Sequence, residues 1–158
     1  MPENIIGFTL INFLHNFFTA VWIGGMFTLG LSVFPAAKKS LGPGPQTKKL
    51  VKTIQEKHSL WVYISMAGLV LTGLLMSNRS SEFGRLFSFQ NAFSSALTIK
   101  HILVIIMILI TLYRSLVLGQ GKGPSSPEQE KLNARLLITN IVLGMVVLLV
   151  SGLTAAWA

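Results

Sequence analysis

Three histidines are the residues of this chain whose type and placement could do chemistry: His15, His58 and His101. Ionisable side chains set in long apolar stretches are costly, so such residues are functional candidates by default. Neutral imidazole suits heme iron or copper, and it can also relay protons or brace a hydrogen bond. There is no cysteine, which removes disulfides, thiolate catalysis and every Cys-ligated metal centre. No carboxylate lies inside an apolar stretch. That argues against an acidic proton relay and against calcium, magnesium or di-iron sites.

The elements that position the histidines follow from hydropathy. Charged residues make up 11% of the 158-residue chain and apolar residues 51%, against roughly 25% charged in an average soluble domain. Four apolar stretches reach the roughly 20 residues that cross a bilayer as helix: about 5–37, 58–77, 93–118 and 133–157. Short connections make neighbouring helices antiparallel. The expected fold is all-α, one transmembrane domain over residues 1–158, an up-down-up-down four-helix bundle.

Charge orients it. The first connection holds Lys38, Lys39, Lys48, Lys49, Lys52 and Lys57, and the third, with its flanks, Arg114, Lys122, Lys131 and Arg135. The opposite side has Arg79, Arg85 and Lys100. The positive-inside rule puts the loops 38–57 and 119–132 in the cytoplasm and both termini outside. The net charge of +8 is then topological. With no basic stripe interleaved with aromatics, nucleic-acid binding is not expected.

This topology decides which histidines can meet. The first and third helices enter from the outer side, so His15 and His101 lie at similar depth, about 12–15 Å from their helix starts. His58 begins the second helix at the cytoplasmic side, flanked by Lys57 and Trp61, and reads as an interface residue that snorkels. Trp22 shares a helix face with His15, Phe8, Ile11, Phe18 and Gly25, and is a candidate cofactor-binding residue beside that histidine. A matched histidine pair can hold a heme b from both faces, with propionates directed to the outer side. Arg79 and Arg85 there, and Lys100 beside His101, are suitable carboxylate partners. Copper is the alternative metal, held by the same histidines with Met26, Met66, Met76, Met107 or Met145. Those methionines form no Met-x-Met or Met-x-x-x-Met cluster, so heme fits the surroundings better. Gly24 with Thr28, Gly68 with Thr72, Gly144 with Ser151 and Gly152 with Ala156 offer close-packing faces, and Asn140 an interhelical hydrogen bond.

The stretch LHNFFTAVWIGG at 14–25 resembles the first-helix motif of the copper-resistance D (CopD) family, and related HemJ-type membrane proteins are similar there. AGLVLTGLLMS at 67–77, FGRL at 83–86, LTIKHILVIIMILITLYRS at 97–115 and LNARLLITNIVLGMVVLLVSGLTA at 132–155 resemble later CopD segments. The CopD resemblance implies a four-helix membrane domain tied to copper uptake or tolerance, beside an outer copper-binding partner. The HemJ resemblance implies porphyrin chemistry, with His15 and Lys100 on that family's functional histidine and lysine. This chain has Tyr113-Arg114 where HemJ-type proteins carry Tyr-His, and it lacks their arginine after the first-helix glycine.

The reading drawn from all this is a CopD-like integral protein of the cell membrane, a b-type heme protein with His15 and His101 as iron ligands. Its work would be electron transfer between membrane quinol and an outer acceptor, as a membrane oxidoreductase, a subunit of a larger complex or a homo-oligomer. A copper permease or copper-delivery subunit, and a non-catalytic assembly subunit, are the alternatives.

Overall fold

The computed structural model describes residues 2–77, 89–119 and 126–157. Four helices account for nearly all of them, with no strand among the described residues. The first, α1, runs from Pro2 to Leu41 as consecutive segments: α-helix Pro2–Thr19, π-helix Ala20–Gly24, α-helix Gly25–Phe27, π-helix Thr28–Val33 and α-helix Phe34–Leu41. Helix α2 is Pro45–Ser77. Helix α3 is Ala92–Tyr113, continued by a π-helical end Arg114–Leu118, and α4 is Pro127–Trp157. All four are long and apolar enough to cross a membrane. The chain is an all-α, multi-pass membrane protein.

The helix ends obey local chemistry. Between α1 and α2 the chain reverses at Gly42, whose φ of +69° is left-handed backbone that glycine adopts without a Cβ clash. Thr47 Oγ1 donates to the Gly42 carbonyl at 2.6 Å and ties off the turn. Asn91 and Ser94 form a reciprocal cap at the start of α3: Asn91 Oδ1 accepts from the Ser94 amide at 2.7 Å, and Ser94 Oγ from the Asn91 amide. Ser126 and Gln129 repeat the device before α4. Pro127 then opens the helix with Glu128 and Glu130 in its first turn, where proline fits and carboxylates suit the helix dipole. Pro35 lies within the first two positions of the last segment of α1. Its missing N–H and its ring disturb the carbonyl four residues back, where the Thr28–Val33 turn widens.

Two helices extend past the expected spans. At 37 residues, Ile5–Leu41 is about 55 Å long, well beyond a hydrocarbon core of about 30 Å. Helix α2 starts at Pro45 rather than near residue 58. Its first turns are the lysine-rich run, which has good helix formers and no breaker but too many charges for lipid.

The chain divides into two compact units, 1–81 and 82–158. In the first, α1 pairs with α2; in the second, α3 pairs with α4. Each is an antiparallel helical hairpin, as its cross-contacts show. In unit 1, His15 meets Thr72 while Gly25 meets His58. In unit 2, Met107 and Thr111 meet Asn140 while Arg114 meets Asn133. The remaining faces are apolar and open: Ile6 is 75% exposed and Leu149 68%. Such surface is costly in water and free of cost in lipid tails, which suits helices that contact membrane lipid.

Candidate functional site

The seam of unit 1 is built from one face of α1. His15, Phe18, Trp22 and Gly25 alternate at three- and four-residue steps, which keeps them on one side of a helix. All four face α2 or are buried. Phe18 lies so close to Gly68 that a Cβ there would overlap its ring, and the His58 ring stands in the same way against Gly25. Trp22 is 1% exposed. Of the four small-residue pairs expected to pack, Gly68 with Thr72 lies in this seam. Gly24, Thr28, Gly152 and Ala156 are exposed instead. Gly25, one residue along from Gly24, makes the close approach because it is in step with Trp22.

His15 and Thr72 are 2.9 Å apart, Nδ1 to Oγ1. The Thr72 hydroxyl has one hydrogen, and it is directed to backbone carbonyls, principally that of Gly68 at 2.6 Å. The oxygen is therefore an acceptor toward His15, and Nδ1–H is the donor. A neutral imidazole carries one proton, so the lone pair is on Nε2. In unit 2, the half-buried His101 reaches the same state by another route. Its Nδ1 lies 2.7 Å from the Leu97 carbonyl, which can only accept. Nδ1–H donates, and Nε2 again holds the lone pair. A histidine whose Nδ1–H is fixed by a backbone carbonyl or a side-chain oxygen has the tautomer and ring orientation of a metal ligand.

His58 differs from the expectation of a snorkelling interface residue. Lys57 and Trp61 beside it are exposed, but its own ring turns inward against Gly25. Gly25 is ten residues from His15 on α1, and His58 fourteen from Thr72 on α2. The two imidazoles of unit 1 are thus about 15–20 Å apart along the hairpin, too far to share one metal ion. Trp22 Nε1 and His58 Nε2 are both enclosed and lack a hydrogen-bond partner among the described residues. Each such buried, unsatisfied group costs about 1–3 kcal/mol.

The other expected site residues divide. Lys100 is half-buried beside His101 on α3. Arg79 and Arg85 lie outside the described residues. No group of three or more His, Cys, Asp or Glu side chains stands together among the described residues. A copper centre would therefore need methionine sulfur beside imidazole. Met26, Met66 and Met107 are buried, and Met145 is 47% exposed.

Asn140 makes the interhelical bonds expected of it. Its side chain is fully enclosed, and Nδ2 donates to Thr111 Oγ1 at 2.8 Å and to the Met107 carbonyl at 3.3 Å. Thr111 passes its own proton to the Met107 carbonyl, which leaves its oxygen as the acceptor. Hydrogen bonds between helices in lipid are worth about 0.6 kcal/mol on average and up to about 1.7 kcal/mol. Asn140→Leu is expected to lower the stability of the α3–α4 hairpin by about that amount, read by reversible unfolding in mixed micelles.

Sequence reasoning missed Thr72 as the partner of His15 and Gly25 as the seat of His58. A signal was present: His58, Ser65 and Thr72 recur at seven-residue intervals on α2, close to two helical turns, and so fall on one face. Compared with family models, curated proteins and solved structures, the chain matches none.

Proposed function

We propose that this chain is a membrane b-type heme protein that moves single electrons, with His15 and His101 as the ligating imidazoles. The observation that carries the reading is the hydrogen bond from His101 Nδ1–H to the Leu97 carbonyl at 2.7 Å. A backbone carbonyl cannot donate, so Nδ1 carries the proton of the neutral ring and Nε2 the lone pair that a ligand needs. His15, held by Thr72, matches it in tautomer. Each imidazole is by its chemistry a donor that suits a heme iron, and the chain has no cysteine thiolate to compete.

Bound heme would supply one-electron chemistry between ferric and ferrous iron. The chain's part is positional. Thr72 and the Leu97 carbonyl orient the two rings and raise their basicity as ligands. Apolar side chains keep water from the iron and so influence its potential. Lys100, half-buried beside His101, is a cationic partner for a propionate, and Arg79 and Arg85 are proposed in the same role. Membrane quinol as electron donor and an outer protein as acceptor complete the proposal. The likeness of LHNFFTAVWIGG to the CopD first helix is kept within it, as a shared architecture that binds heme here.

The absorption spectrum of the purified protein tests this. A Soret band with a sharp α-band on reduction is expected. A colourless protein that binds copper(I) stoichiometrically would favour the copper-delivery alternative, and one that does neither would favour an assembly subunit.

The proposed orientation has its own test, helped by the absence of cysteine. A single cysteine at Gln90, between α2 and α3, is expected to react with a membrane-impermeant maleimide in intact cells. One at Ser126, before α4, is expected to react only after lysis. The reverse pattern would invert the topology.

A further inference from the structure

The lysine-rich connection of unit 1 is helix rather than loop, and its height follows from register. The His58 ring stands against Gly25, so the two residues are level on the hairpin. From His58 to Ser77, α2 carries no lysine, arginine or carboxylate; this stretch is about 30 Å long, the thickness of a hydrocarbon core. Pro45 to Lys57 adds about 20 Å to α2, and Gly25 to Leu41 about 24 Å to α1. A headgroup layer is only about 5–8 Å thick. The extension is packed along its length. Phe34–Leu41 lies on the start of α2, and Thr47 Oγ1 ties the turn to the Gly42 carbonyl. Thr47, Val51, Ile54 and His58 recur at three- and four-residue steps and are buried or half-buried, which makes them the seam side.

The lysines are off that seam. Lys38 and Lys39 end α1, and Lys48, Lys49 and Lys52 begin α2; all five are exposed. Lys48, Lys49 and Lys52 fall within about 100° of the helix surface. No carboxylate lies between Glu3 and Glu56 in the sequence, and Glu56 is on the membrane side of Lys52. Leu41 and Leu50 stand among the lysines, 49% and 40% exposed. We propose that this tip reaches past the lipid and docks an acidic, partly apolar segment of a partner protein. Height argues against lipid phosphate as the occupant. Lys48 and Lys49 lie about 14 Å above the level of His58, and Lys38 and Lys39 about 20 Å, beyond the headgroup layer. Nucleic acid is poorly served too, because residues 38–52 hold no arginine and no aromatic ring on which a base could stack. Carboxylates pair with ammonium groups singly, and apolar side chains of the same segment would cover Leu41 and Leu50. No histidine takes part, so the docking surface stands or falls apart from the heme reading. It is also the same surface whichever side of the membrane it faces.

Two measurements on the full chain in lipid nanodiscs test this. The chain has no cysteine, so a spin label can be placed at Lys49→Cys alone. That label is expected to meet a water-soluble nickel complex rather than the oxygen of the bilayer core, and to do so unchanged when phosphatidylglycerol replaces phosphatidylcholine. Leu71→Cys, at a residue 61% exposed within the apolar span, supplies the opposite reference. Loss of nickel contact at Lys49→Cys in phosphatidylglycerol would put the tip among headgroups and overturn the proposal. The second probe is a fluorescein-labelled peptide of repeating Glu-Glu-Leu, read by anisotropy. Lys38→Gln, Lys39→Gln, Lys48→Gln and Lys49→Gln together should weaken its binding by about 10-fold or more. Lys131→Gln with Arg135→Gln, in unit 2, should leave it unchanged. No binding, equal weakening by both sets, or tighter binding of a uridine oligonucleotide than of the peptide would each overturn it.

Discussion

His101→Ala is expected to abolish the sharp reduced α-band of the purified protein, and His15→Ala to do the same. If the two imidazoles hold a heme iron as proposed, each substitution would remove one of them, and the spectrum would be broadened or absent. The comparison with the supporting groups makes the test specific. Thr72→Val keeps the volume of the threonine but takes away the acceptor for His15 Nδ1–H. The imidazole then loses its preferred tautomer and orientation, and heme retention should weaken by about 10–100-fold. His58→Ala should leave the spectrum intact, because His58 is separated from His15 by about 15–20 Å along the hairpin. Loss of heme in His58→Ala with retention in His101→Ala would overturn the assignment. The measurements are the oxidised and reduced absorption spectra, with pyridine hemochrome quantitation of heme per chain.

Gly68→Leu is expected to have the largest effect on the fold of unit 1. In the present packing even a Cβ at this position overlaps the Phe18 ring, and a leucine adds three further carbons. The Phe18 ring is partly buried, so it or the helices must shift to admit the added carbons. Overpacking of this kind costs about 1–3 kcal/mol, and here it also pries apart the helices that bring His15 to Thr72. The variant should lose stability in reversible unfolding and weaken heme retention together. Gly24→Leu is the control. A Cβ at Gly24 meets nothing within 4 Å, and an exposed leucine on a membrane helix is well tolerated. Equal damage from both substitutions would mean that the Phe18–Gly68 approach is not what holds the hairpin.

Much of this architecture is legible in the residues alone. The four spans follow from uninterrupted apolar length, and the start of α4 follows from Pro127 with Glu128 and Glu130 behind it. The face 15-18-22-25 follows from helical periodicity. Each rests on interactions within a few residues or with solvent, so local sequence carries it. The start of α2 was less legible. Its lysine-rich turns are too polar for lipid, and hydropathy marks the membrane portion of a helix rather than its whole length.

The candidate site divides along the same line. His15 and His101 stand out from sequence because ionisable groups in apolar stretches are few. Their tautomers do not, since the Nδ1 proton is assigned by where Thr72 and the Leu97 carbonyl come to lie. His58 was the residue most altered by the structure. Read locally, beside Lys57 and Trp61, it belongs at an interface; packed against Gly25, it is turned into the helical seam.

The sequence by itself therefore determined that the chain is helical, that it crosses the membrane four times, and which side chains could ligate a metal. Only the tertiary structure decided that Thr72 orients His15, that Gly25 receives His58, and that the Trp22 indole nitrogen is enclosed with no partner among the described residues. The physical reason is register. Hydropathy and capping are summed along one helix, but a contact between antiparallel helices depends on which residues stand opposite. Here the turn at Gly42 and the π-helical turns of α1 determine that register.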